Sequence, residues 1–358
     1  MVSIYIVIWF LLFLPAILRG NRNVKGYNQY NSAFVFFCLL VLIGFRHITV
    51  GADTSAYEAI YYLSSERVQS AQSELGYYHF SNFFNQLGVP FVAFNFIVSL
   101  ILVFTLIEFY SRYSRNLSFS VLIFMTIGLL SMYMSGTRQS LAISLSLIAV
   151  QWADKHKGLF HSIVAFFLVW LASTFHASAV ACFPAVAFIM FRARFSRPFL
   201  FVLVAVVSAA LLYRNYLVIL IQLFLPNKYT SYNLNANYQI NPLLIIISIL
   251  IPIFCLFFDS DVDDDGKYNC EKTWMYVFSC CNILFTILAK NSMYFSRIAF
   301  YFLHFNSLII PNVISSQRLR RNARFMYLFI GIICMLYFLI SIPGGVLKID
   351  NYKFFWQD

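Results

Sequence analysis

Apolar runs separated by short polar connections occupy the chain from end to end. They fall at about Val2–Leu18, Phe34–Phe45, Pro90–Phe109, Ser118–Ser135, Ser140–Ala153 and Leu159–Phe175 in the first half. Ala177–Phe191, Phe199–Leu225, Pro242–Phe258, Trp274–Ala289, Ile298–Ile314 and Phe325–Ile342 follow. In hydrocarbon a segment must satisfy its own backbone groups, and a helix does so within itself. The pattern therefore predicts an all-α polytopic membrane protein of about 12 transmembrane helices, forming one domain over residues 1–358. Phe199–Leu225 has Arg214 and Asn215 in its middle and reads as one long or broken helix. Val2–Leu18 lacks the basic start and small-residue cleavage site of a secretory signal, so it is expected to be a retained helix.

Composition agrees with that class. Hydrophobic residues make up 61% of the 358 and charged residues 11%, against roughly 45–50% and 25% in soluble domains. The seven cysteines show no spacing that implies a disulfide framework or a metal site. A net charge of +11 would suggest nucleic acid in a soluble chain. Here it is explained by basic residues held on the cytoplasmic side of a membrane, and no nucleic-acid partner is expected.

The distribution of charge then predicts an orientation. Arg19, Arg22 and Lys25, Arg112 and Arg115, Lys155 and Lys157, Arg192, Arg194 and Arg197, Lys267 and Lys272, and the Arg318–Arg324 cluster all fall in alternate connections. The positive-inside rule puts those connections in the cytoplasm and both termini outside. Residues 46–89 and 226–241 become extracytoplasmic loops, and 259–273 an acidic cytoplasmic loop. Any chemistry is expected on the outer side.

Four polar stretches on that side carry candidate chemistry. Arg46 through Tyr57 holds a basic residue at a helix exit, Gly51 for a tight turn, and Asp53-Thr54 able to cap the next helix. Read functionally, Arg46 is an anion ligand and Asp53 a base or acceptor beside a hydroxyl-rich substrate. Glu74 adds a second carboxylate next to aromatic residues that can stack on sugar rings. Ser135-Gly-Thr-Arg138-Gln139 is either a turn whose arginine snorkels to headgroups or a site where a guanidinium fork meets phosphate oxygens. Arg297 follows Asn291, Ser292, Tyr294 and Ser296 and has the same character. His176, between two apolar helices, is either a satisfied interface histidine or a base suited to neutral pH. Asp261 to Gly266 opens like a calcium loop, but Lys272 stands where the bidentate glutamate belongs.

Taken together, these motifs resemble the EpsG-type family of bacterial exopolysaccharide polymerases, similar in role to Wzy O-antigen and capsule polymerases. The residues that carry the resemblance are Arg46 with Gly51-Ala-Asp53-Thr54 and Tyr57, Glu74-Leu-Gly76-Tyr77, and Ser135-Gly-Thr-Arg138-Gln139 with Ala142. Phe175-His176-Ala-Ser178 and Ser296-Arg297 complete it. The family usually has another small residue or Thr where Ala52 stands.

The resemblance implies a membrane-embedded, GT-C-like glycosyltransferase of the bacterial cytoplasmic membrane. It would join oligosaccharide repeat units carried on undecaprenyl pyrophosphate, with no cofactor or metal, alongside membrane lipids, a chain-length regulator and a flippase. Arg138 would be central, and Arg297, Arg46, Gln139, Thr54 and Tyr57 would bind substrate or pyrophosphate. Asp53, Glu74 and His176 would be the base candidates, in that order. A lipid-linked oligosaccharide flippase, an acyltransferase acting on surface glycans, and a non-catalytic scaffold are the alternatives. Flippase loss removes every repeat unit from the surface, whereas polymerase loss leaves single units there.

Overall fold

The computed structural model describes residues 3–18, 25–63, 74–222, 242–341 and 348–357. The expected loop 226–241 lies outside these residues. The described chain is all-α, and its β pairing is confined to two isolated bridges, Arg46 with Phe354 and Ser196 with Lys267. The helices are α1 (Ser3–Leu18), α2 (Lys25–Gly44), α3 (Thr54–Tyr62), α4 (Leu75–Gln86) and α5 (Phe91–Tyr113). Then come α6 (Leu117–Thr126), α7 (Leu129–Ser135), α8 (Thr137–Lys155), α9 (Leu159–Phe175) and α10 (Cys182–Met190). The last are α11 (Arg197–Gln222), α12 (Pro242–Phe258), α13 (Cys270–Leu288), α14 (Met293–Ile314) and α15 (Ala323–Ser341).

The expected twelve spans do not hold. Among the described residues four helical stretches are long and apolar enough to cross a membrane: Phe91–Tyr113, Arg197–Val218, Met293–Ile314 and Arg320–Ser341. A fifth is reached when α6 and α7, bent by 70° against each other, count as one span. The physical reason is length and polarity. α1, with 16 residues, rises about 24 Å at 1.5 Å per residue, short of the roughly 30 Å hydrocarbon thickness. α9 and α12 have 17 residues each and α10 has nine. α8 starts with Thr-Arg-Gln and ends in Asp154-Lys155. With the count corrected, the alternation that put both termini outside no longer follows. Several long apolar helices remain, consistent with a multi-pass membrane protein.

Contacts divide the chain into two compact units, residues 1–180 with 322–358, and residues 181–321. In the first, α8 packs along α9 and α5, α5 along α2, and both α1 and α15 against α6. Aromatic edges join the core, Phe124 to Tyr133 at 5.1 Å and Phe119 to Tyr327 at 4.8 Å between centroids. The span 46–89, expected as a loop, contains α3 and α4.

In the second unit α13 packs against α14, α11 and α12. α11 is unbroken through Arg214 and Asn215. The apolar stretch of α14 is 83% buried and that of α11 only 17%, so α14 forms the core and α11 leaves most of its apolar surface uncovered. Inside the α13/α14 seam, Asn306 Nδ2 donates to Asn282 Oδ1 at 3.1 Å, and Asn282 Nδ2 to the Ala299 carbonyl. Such amides hold membrane helices together where lipid gives no hydrophobic drive. The acidic stretch 259–273 is structured: buried Lys272 donates Nζ to both Asp259 oxygens at 2.7 and 2.8 Å and to Asp261 at 3.0 Å. Tyr276 adds its hydroxyl to Asp259, and Arg194 pairs with Asp263.

Candidate functional site

The site builds up from the loop after α2. Arg46 is 3% exposed, and its guanidinium donates to Asn95 Oδ1 at 3.0 Å and to the Ile43 carbonyl. Residues 348–355 lie along the same loop: His47 N donates to Lys353 O at 2.8 Å, Gly51 N to Lys348 O at 3.0 Å, and Phe355 N to Phe45 O at 2.9 Å. Tyr352 anchors that segment, giving its hydroxyl to the Val41 and Leu42 carbonyls at the end of α2. Tyr5 of α1 donates to Ile349 O at 2.8 Å. A chain-terminal strap thus fixes the backbone that leads into α3.

That backbone is pressed onto the α7–α8 turn. Thr54 Oγ1 bonds to the Val50 carbonyl at 2.9 Å and the Met134 carbonyl at 3.2 Å, while Ala52 N donates to Ser135 Oγ at 3.1 Å. Asp53 holds the N-cap position of α3 but makes no side-chain cap hydrogen bond. The capping expected of the Asp-Thr pair is absent: Asp53 has helical backbone angles, φ −105° and ψ −2°, and the Thr54 hydroxyl is bonded to two carbonyls. Asp53 itself is exposed.

On the other side, α4 begins against the end of α9. A Cβ on Gly76 would lie 2.2 Å from Thr174 Oγ1 and 2.9 Å from the Thr174 carbonyl carbon, so only glycine permits this approach. The approach brings Glu74, at the N-cap of α4, beside His176, which follows α9.

Arg138, the second residue of α8, is where the two sides meet. Its Nη1 lies 2.8 Å from Glu74 Oε2, its Nε donates to the Tyr57 hydroxyl at 3.4 Å, and its Cζ sits 5.4 Å from the Tyr57 ring centroid. His176 Nε2 is 3.8 Å from Glu74 Oε1. The Ser178 backbone N–H donates to His176 Nδ1 at 3.4 Å, and Ser178 Oγ lies 2.6 Å from the same nitrogen. An accepting Nδ1 leaves the proton on Nε2, facing the carboxylate. The Tyr77 ring packs 5.6 Å from that of Tyr57.

Electrostatics tighten the group. Burial works against the Arg138 charge, but Tyr57 and Glu74 outweigh it and its pKa is raised. Burial raises the Tyr57 phenol, only partly opposed by Arg138. Arg138 therefore stays cationic and Tyr57 neutral, a cation on a π-face and a carboxylate at once.

The first unit thus gathers Glu74, Arg138, Tyr57 and His176, with Thr54 bracing the loop and exposed Asp53 one residue before it. Gln139 is buried on α8. Arg46 supports the loop from inside the protein. Arg297 lies half-buried on α14, in the second unit. Among the described residues no group of three or more His, Cys, Asp or Glu side chains could hold a metal ion. Sequence reasoning gave no role to Asn95, named Ser178 only as part of the family motif, and read Tyr77 beside Glu74 as an aromatic face for a sugar ring and not as a hydroxyl donor. Tyr77 was signalled by its position three residues after Glu74, one turn along the same helical face.

A cationic fork, a carboxylate, a histidine and two packed tyrosines thus come together at one end of an all-α unit of a multi-pass membrane protein. The EpsG family matches residues 30–354, and the chain belongs to that family. Membership supports a role in exopolysaccharide-related biosynthesis at the membrane and suggests glycosyltransferase-like activity on lipid-linked glycans. No curated protein and no solved structure matches the chain.

Proposed function

We propose that the protein polymerises polysaccharide repeat units carried on undecaprenyl pyrophosphate, with its site on the outer face of the cytoplasmic membrane. The observation that carries this is the Glu74–Arg138 pair at 2.8 Å with Tyr57 and His176 around it. A guanidinium suits a pyrophosphate, a carboxylate or imidazole suits a hydroxyl proton, and aromatic faces suit sugar rings.

The outward placement is supported by charge at the two ends of the first unit. Arg138 lies in the first turn of α8 and Lys155 ends it. The ends of α5 and α8 lie level, because Arg112 Nη2 is 3.9 Å from Asp154 Oδ2 and Tyr113 donates to the same oxygen. Arg112, Arg115, Lys155 and Lys157 therefore cluster opposite the site. The positive-inside rule assigns that end to the cytoplasm.

In the proposed reaction an acceptor hydroxyl oxygen attacks the anomeric carbon of the growing chain. The bond from that carbon to the pyrophosphate oxygen breaks, its electron pair leaves with undecaprenyl pyrophosphate, and the acceptor proton passes to a protein base. Arg138 stabilises the charge developing on the leaving group. In this reading Glu74 takes the proton, His176 holds that carboxylate from Nε2 at 3.8 Å, and Asp53 stands at the rim.

Purified protein in liposomes, given lipid-linked repeat units, tests this directly. Products one or more repeat masses longer are expected. Recovery of unextended units alone, from protein whose Arg138-containing fold is intact, would contradict it.

A further inference from the structure

We infer that substrate pyrophosphate displaces Glu74 from Arg138, so that donor binding itself releases the carboxylate that takes the acceptor proton. This inference rests on the polymerase reading and adds an order of events to it.

Within the cluster, access is uneven. The Arg138 side chain is 31% exposed, against 11% for Glu74 and 10% for His176. An incoming anion therefore meets the guanidinium first. There it finds Nη1 already engaged by Glu74 Oε2 at 2.8 Å. A carboxylate paired in this way is a poor base, because an opposite charge within about 4–6 Å favours its ionised form. The same pairing screens Arg138 from any other anion. Carboxylate and pyrophosphate thus compete for one fork, and pyrophosphate has the greater charge and more acceptor oxygens.

A second observation points to a missing acceptor. The Tyr77 hydroxyl is buried, its residue 1% exposed, and has no hydrogen-bond partner among the described residues. Buried hydroxyls are nearly always paired, so one left unpaired beside a cationic group asks for an acceptor. Burial raises this phenol, with Tyr57 adding to the effect and Arg138 opposing it, so it remains a donor. A pyrophosphate oxygen drawn in by Arg138 would supply the acceptor.

Once displaced, Glu74 still has His176 Nε2 at 3.8 Å from its other oxygen, which keeps it in the site. The acceptor hydroxyl proton then passes to Glu74 as the new carbon–oxygen bond forms. The bond to pyrophosphate breaks with its electron pair on the leaving group. Before the donor binds, the base is masked and water is not activated.

Farnesyl pyrophosphate, a short soluble polyprenyl pyrophosphate, serves as the probe for the full chain in nanodiscs. Glu74→Gln keeps the side-chain shape and removes the competing charge. It is expected to bind the probe at least about threefold tighter than wild type while losing polymerisation in cells. Arg138→Ala is expected to bind at least about tenfold more weakly, and Tyr77→Phe about threefold. Equal or weaker probe binding by Glu74→Gln, at a wild-type melting temperature, would overturn the exchange. If Glu74→Gln does not fold, Glu74→Ala is measured against the same expectations. Tighter binding together with an unchanged glycan ladder in cells lacking the protein would keep the exchange and reject the polymerase reading. Unchanged binding with a lost ladder would do the reverse.

Discussion

Gly51 approaches Met134 so closely that a Cβ on it would lie 2.3 Å from the Met134 carbonyl oxygen. Its φ of +97° adds a second reason for glycine. An alanine there costs about 1–2 kcal/mol for the left-handed backbone alone, and the clash with a main-chain oxygen comes on top. Gly51→Ala is therefore expected to lift the Val50–Thr54 loop off the α7–α8 turn and carry Tyr57 away from Arg138. Surface glycan length reads the effect, and an undiminished ladder at normal protein abundance would count against this docking.

Arg138→Lys tests the fork separately from the charge. Lysine keeps a cation but cannot offer Nη1 to Glu74 and Nε to Tyr57 in one plane. Loss of a preorganised donor at a developing negative charge typically costs about a hundredfold in rate. The expected result is a drop of that order in liposome polymerisation with near-normal melting. Full activity would show that charge alone suffices.

Tyr352 lies 2% exposed in the terminal strap, with its ring edge-on to Tyr5 at 5.5 Å. Tyr352→Phe removes the bonds to Val41 and Leu42 but keeps the ring, at about 1 kcal/mol. Tyr352→Ala leaves a cavity worth about 3–5 kcal/mol by the usual scale for aromatic truncation. Polymer length should fall slightly in the first and strongly in the second. Identical behaviour of the two would mean that the strap does not position the loop.

The Asp259–Lys272 pair is a stability element. Asp259 is 1% exposed and Lys272 10%, measured on the side chains. Removing one partner strands a buried charge, a loss of about 3–5 kcal/mol. Lys272→Met should lower the melting temperature of the purified protein sharply, and Asp259→Leu added to it should restore part of the loss. If the double variant melts below the single one, the pair is more than a matched couple of charges.

How much of this was legible beforehand follows from the same residues. The all-α class came from apolar runs, because hydrocarbon allows a helix little alternative. The number of spans did not, since a run such as Leu159–Phe175 looks like a span by composition and falls short by length. The motifs around Glu74, Arg138 and His176 could be read as residue types suited to phosphate and sugar. Their convergence depends on Gly51 and Gly76, whose neighbours Met134 and Thr174 are distant in sequence. Arg46 has the same composition signature as Arg138, yet Asn95 holds it inside the protein. A side chain 49 positions away decides that, and no local pattern encodes it. Tyr77 was legible only as an aromatic face beside Glu74, because an unpaired hydroxyl is visible only once its surroundings are known.

The central claim is best tested by a gel profile of surface glycan from cells lacking the protein, complemented with wild type or with Arg138→Ala at matched membrane abundance. The account expects deletion and Arg138→Ala alike to collapse the ladder to core plus a single repeat unit, with wild type restoring it. Loss of every repeat unit from the surface on deletion, or a full ladder with Arg138→Ala, would contradict it.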